Sequence, residues 1–131
     1  MINNFAEQNR LGTALAETGI ALDSNTWARA DMVYWDRERA ATIDRHTSAI
    51  RVMPQLVMEV ASPSNRFEDL FGKADSYLRA GVEVVWLVIQ RPYEIQVFEA
   101  NGGRRIVRAG EKLEVPTLLP GFSLDPADLL S

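Results

Sequence analysis

The sequence predicts a mixed α/β fold with antiparallel additions, and three observations carry that reading. Two apolar runs, Met53 to Ala61 (MPQLVMEVA) and Val82 to Ile89 (VEVVWLVI), are nearly continuous rather than alternating, which marks strands buried on both faces of a sheet. Between them the apolar residues recur at helical spacing, so the order is strand, helix, strand, the connection that a parallel strand pair requires. After Arg91 and Pro92 the pattern turns to alternation over Tyr93 to Phe98, the sign of a half-exposed strand. The 131 residues show no internal repeat, low-complexity tract or composition break, so residues 1–131 read as one domain.

In chain order, Met1 to Arg10 is polar with Ile2 and Phe5 apolar and reads as a short helical piece that Gly12 ends. Gly19 to Leu22 reads as a strand, followed by the turn residues Asp23, Ser24 and Asn25 and a hairpin into Ala30 to Trp35. That second strand is β-branched and aromatic, and Asp31 stands near its start. The charged stretch Asp36 to Ser48 reads as an exposed loop with a helical turn, and His46 within it as a surface residue.

Beyond the first apolar run, Asn65 and Glu68 have the spacing of a capping box that opens a helix. Phe67, Leu70, Phe71, Ala74 and Leu78 form its apolar stripe, and Gly81 suits the left-handed position just past its end. Asn101, Gly102 and Gly103 form a hairpin turn into Arg105 to Val107. Three prolines make the tail from Leu113 to Leu130 extended and irregular, with short packed pieces.

Composition narrows the function. A net charge of -4 gives no general basic excess for nucleic acid or anionic membranes. With no cysteine and one histidine, disulfides, thiol catalysis and a His-rich metal cage are excluded, so a bound metal would need oxygen ligands. Apolar stretches such as Val84 to Ile89 are far too short to span a bilayer, and the N-terminus lacks the layout of a signal peptide, so the expected location is cytoplasmic, with no membrane partner.

Three residues invite chemistry. Glu59 is embedded among Leu56, Val57, Met58 and Val60, where a carboxylate needs a partner, a proton or a cation. Asp31 sits on a strand that could neighbour that of Glu59, and two such carboxylates could hold magnesium together with waters and phosphate oxygens. Lys73 is one of two lysines against twelve arginines, and on helical spacing it shares a face with Asp69 and Tyr77. A plainer account treats Glu59 as a structural carboxylate paired with Arg66 or Lys73, Asp31 as a strand-end acceptor, and Trp35, Tyr77 and Trp86 as core aromatics. Arg104, Arg105 and Arg108 could contact phosphates or form a solvated face.

The run from Pro54 through Gln90, PQLVMEVASPSNRFEDLFGKADSYLRAGVEVVWLVIQ, resembles the Uma family of restriction-endonuclease-like proteins. The shared pattern is an apolar strand ending in Glu-Val, then Ser-Pro-Ser, a helix with Lys and Tyr-Leu-x-Ala-Gly-Val, and a strand with Trp-Leu-Val. Arg29 to Arg39 resembles the family's Pro-Asp strand and basic loop, and Leu118 to Phe122 (LLPGF) its C-terminal motif. The family falls in the PD-(D/E)XK nuclease superfamily. The resemblance therefore implies a restriction-endonuclease-like mixed sheet flanked by helices, and metal-dependent hydrolysis of DNA phosphodiesters. It implies that Asp31 and Glu59 hold Mg2+ or Mn2+ and that Lys73 stands in for the lysine of the Glu-x-Lys element, whose place is taken by Ala61.

The chain also departs from that pattern. Gln55 stands where the second Pro-Asp motif has its aspartate, and Ile89 where aspartate is common after Trp-Leu-Val. The family's usual N-terminal helix and acidic hairpin have no counterpart here, which leads us to expect a homodimer. These departures favour an alternative, a catalytically inactive relic or interaction module that keeps the nuclease fold.

Overall fold

The computed structural model describes residues 6, 9–43, 50–90 and 93–129. Six strands lie side by side in chain order: β1 (Gly12–Ala21), β2 (Trp27–Asp36), β3 (Leu56–Val60), β4 (Val84–Gln90), β5 (Tyr93–Glu99) and β6 (Arg104–Arg108). Helix α1 (Arg37–Ala40) follows β2, α2 (Phe67–Arg79) joins β3 to β4, and α3 (Pro126–Leu129) lies in the tail. The β3–β4 pair is parallel and every other neighbouring pair antiparallel, so the sheet is mixed and α2 is the crossover. This is the predicted mixed α/β architecture.

The two apolar runs form β3 and β4 at the centre of the sheet, where both faces are covered. Val57, Val85 and Leu87 face the α2 side with Leu70, Ala74 and Tyr77. Leu56, Trp86 and Val88 face the opposite side, where the tail residues Leu113, Leu119 and Phe122 cover them. The proline-rich tail is thus irregular but packed, pinned by a backbone bridge between Leu113 and Leu124.

Strand β1 differs from expectation: Gly12 opens it rather than closing a helix, and it runs ten residues instead of four. Its alanines and glycines have little strand preference of their own, and pairing with β2 along its length overrides that local signal. Gly12 pairs with Asp36 so tightly that a Cβ there would strike the Trp35 carbonyl oxygen and lie 2.9 Å from Asp36 Cα. The predicted turn holds: the Asn25 N–H donates to Asp23 Oδ1 at 2.8 Å.

The start of α2 is also corrected. Arg66 is its N-cap residue and makes no side-chain cap bond. Asn65 Oδ1 instead accepts from the Ser62 N–H (2.7 Å) and hydroxyl (3.1 Å), closing the turn ahead of the helix. Of the expected stripe, Leu70 and Ala74 are buried and Phe71 and Leu78 pack against them half-buried; Tyr77 joins the buried face and Phe67 is exposed. At the other end Gly81 has φ +112°, the left-handed conformation that terminates a helix at least cost for glycine. His46 lies outside the described residues.

Candidate active site

The β2–β3 register decides which side chains meet. Tyr34, Val33 and Met32 pair with Leu56, Val57 and Met58, and one further step sets Asp31 opposite Glu59 on the face that α2 covers. There the backbone ladder gives way to a side chain: Asp31 Oδ2 accepts the Val60 N–H at 2.7 Å. Asp31 is exposed, whereas Glu59 is buried at 6% exposure.

Lys73 and Tyr77, one helical turn apart on α2, both reach Glu59. The Tyr77 hydroxyl donates to Glu59 Oε1 at 2.6 Å, and Lys73 Nζ lies 3.1 Å from the same oxygen. Of the two expected partners of Glu59, Arg66 and Lys73, it is Lys73 that makes the ion pair. Asp69, expected on the same face, is exposed. The sequence places Tyr77 on the Lys73 face of the helix but reads it as a core aromatic, without a role for its hydroxyl. Its four-residue spacing from Lys73 was the available signal for a polar role.

Burial pushes the Glu59 carboxyl above its ordinary value; the Tyr77 hydrogen bond and the Lys73 charge work against that rise, and Asp31 adds to it. Burial likewise pushes the Tyr77 phenol up, reinforced by its bond to Glu59, so Tyr77 stays a neutral donor.

The donor set suits a hard, largely hydrated cation. Each carboxylate has one oxygen tied to the protein, and among the described residues no hydrogen bond reaches Glu59 Oε2 or Asp31 Oδ1. Magnesium needs one or two protein carboxylates, the rest of its shell being water and phosphate oxygen. Among the described residues no group of three or more His, Cys, Asp or Glu side chains could hold a metal, which is the wrong chemistry for a closed zinc centre.

A family model described as "Putative restriction endonuclease" (Uma2) matches residues 1–127. The chain belongs to this family. Among solved structures, the fold is similar to a crystal structure from Anabaena variabilis described as "a putative nuclease belonging to DUF820". The two share 16% sequence identity at a TM-score of 0.80, covering 98% of this chain and 73% of the other. No curated protein matches the chain. The Uma2 resemblance read from Pro54–Gln90 is thereby established, and with it the nuclease-like fold.

The departures from the family pattern sit in packed positions. Gln55 is buried, and its Oε1 accepts the Asp36 N–H at 2.8 Å, tying the end of β2 to the start of β3. Burial works to raise the Asp36 carboxyl, but the Arg39 N–H and the Gln55 amide outweigh it and hold Asp36 below the usual carboxylate range. An aspartate at 55 would set a second carboxylate against Asp36. Gln55→Asp is therefore expected to lower stability by about 2 kcal/mol at neutral pH and by less in acid, as read from urea denaturation. Ile89 packs on the α2 side of β4. The hairpin arginines Arg104, Arg105 and Arg108 are all exposed, as a solvated face requires; Arg104 also lies over the Phe71 and Phe98 rings and Arg105 donates to the Glu114 carbonyl at 2.6 Å.

Among the described residues no helix is long and apolar enough to cross a membrane.

Proposed function

We propose that this protein is a metal-dependent nuclease that hydrolyses DNA phosphodiesters at Asp31, Glu59 and Lys73. The observation that carries the reading is the juxtaposition: Asp31 stands one register step beyond the β2–β3 pairs, opposite Glu59 and near enough for its charge to act on the Glu59 carboxyl, and Lys73 from the crossover helix reaches Glu59 Oε1. Membership of the Uma2 family supports the reaction class.

Asp31 and Glu59 would hold Mg2+ or Mn2+ through the oxygens not bound to the protein. Such an ion supplies Lewis-acid stabilisation of the charge that builds on the phosphoryl oxygens. Tyr77 fixes the Glu59 carboxylate through one oxygen and so sets the direction of the other. Lys73 is 40% exposed, which leaves its ammonium able to bond both Glu59 and an entering water. In that position Lys73 orients the water for attack on phosphorus and balances the negative charge of the transition state.

The test is cleavage of supercoiled, linear duplex and single-stranded DNA with magnesium or manganese, against a chelator control. Cleavage is expected only with metal, and Lys73→Ala should lower it by about 10² to 10⁴-fold with the fold intact by circular dichroism. Absence of cleavage on every substrate and with both metals would overturn the reading in favour of the inactive relic. The expected homodimer is read in the same preparation by sedimentation equilibrium.

A further inference from the structure

A different face of α2 carries a feature that the carboxylate site does not use. Phe67 opens the helix with 55% of its surface exposed, yet its ring is held in place by its neighbours. It stacks on Phe71 (centroids 6.1 Å apart, planes at 29°), and Phe71 meets Phe98 at 5.7 Å. The Arg104 guanidinium closes the series, 4.5 Å from the Phe98 ring centre and 5.2 Å from that of Phe71. The result is a preorganised aromatic ledge with a cation at its far end.

Beside Phe67 lies a cleft of about 480 Å³, bounded by Ser62, Pro63 and Asn65 of the loop after β3 and by Ile89 and Gln90 at the end of β4. Ser62 follows Glu59 by three residues, so one short loop borders both the cleft and the carboxylates. The walls are one aromatic ring, apolar side chains, a hydroxyl and two amides, and no described lining residue is charged. A phosphate would need a cation there, whereas a neutral planar group would not. Asn65 Oδ1 is occupied by Ser62, which leaves its amide N–H groups as donors. The exposed Gln90 amide offers a donor and an acceptor.

An aromatic ledge plus amides is the chemistry that binds an unstacked base: the ring supports its face, and the amides bond its edge. We propose that this cleft binds one unpaired nucleobase, stacked on Phe67, beside the phosphate presented to Asp31 and Glu59. The assignment rests on the nuclease reading above and narrows its substrate to strands with an unpaired nucleotide near the cut, since a base inside a duplex cannot reach the ledge.

The experiment uses the full chain carrying Lys73→Ala, with chelator, so that nothing is cut. The probes are a single-stranded oligonucleotide with one 2-aminopurine and its fully paired duplex. Binding of the single strand should change 2-aminopurine emission. Adding Phe67→Ala should weaken that binding about tenfold or more and remove the emission change, while Phe67→Trp keeps both and duplex affinity is unaffected. If the single strand binds but Phe67→Ala alters neither affinity nor emission, the subsite is overturned and the nuclease reading stands. An equal loss on duplex also overturns it. If neither probe binds with Phe67 in place, the subsite is overturned, while the nuclease reading stands or falls on the cleavage assay with metal.

Discussion

Replacing either Asp31 or Glu59 by alanine is expected to abolish magnesium and manganese binding and to lower DNA cleavage by about 10³-fold or more. The expectation follows from the small donor set. At the proposed site the protein would supply two carboxylates, so removing one would leave a single ligand and a hydrated ion held weakly against bulk water. Lys73 strengthens the contrast, because its ammonium 3.1 Å from Glu59 opposes a cation that only the two carboxylates attract. Lys73→Ala should therefore lose cleavage while keeping metal binding, a pattern opposite to that of the carboxylate variants. Calorimetric titration of wild type, Asp31→Ala, Glu59→Ala and Lys73→Ala in one buffer reads the difference directly. Asp31→Asn and Glu59→Gln guard against trivial unfolding, since they keep an acceptor for the Val60 N–H and the Tyr77 hydroxyl. Metal binding that survives in both alanine variants would place the cation elsewhere and remove the basis for the proposed site.

The centre of this fold is legible in the sequence because its physics is local. β3 and β4 are covered on both faces, so each is a continuous apolar run, and the segment between them is too periodic to be anything but a helix. The edges are less legible. Half of β1 is alanine and glycine, whose strand state comes from pairing with β2 rather than from their own preference. The start of α2 misleads because Asn65 spends its side chain on Ser62, behind the helix rather than on it. The same division holds at the site. Glu59 stands out as a charge in an apolar run, but its proximity to Asp31 depends on which strands pair and in what register. Tyr77 is hidden for another reason: a tyrosine on a buried face looks apolar until the destination of its hydroxyl is known. Phe67 shows the converse, an aromatic at helical spacing that reads as core and lies exposed beside the cleft.

Metal-free protein carrying Glu59→Gln is expected to be more stable than the wild type at neutral pH, and equal to it in acid. Glu59 is buried with a raised carboxyl, burial outweighing the help from Tyr77 and Lys73. The unfolded chain holds the same group near its ordinary value of 4.5, so folding takes up a proton at pH values just above that. The Glu59 contribution is thus fully present below the unfolded value and lost as pH rises through the folded one. Glutamine keeps an acceptor for Tyr77 and does not titrate, so the two curves separate as pH rises. At pH 7 to 8 the gap should be read as a higher Tm for Glu59→Gln than for the wild type. Magnesium should reverse the order. At a hundred times its Kd a ligand adds about 2.7 kcal/mol to the protein that binds it, and only the wild type keeps both carboxylates. Thermal melts of the two proteins across pH, with and without magnesium, test both halves. A difference independent of pH would mean that Glu59 is not destabilised by burial. Equal magnesium stabilisation of both proteins would mean that Glu59 is not a ligand. The crossed pattern, a carboxylate that weakens the empty fold and strengthens the loaded one, is what a residue held for metal binding rather than for packing must produce.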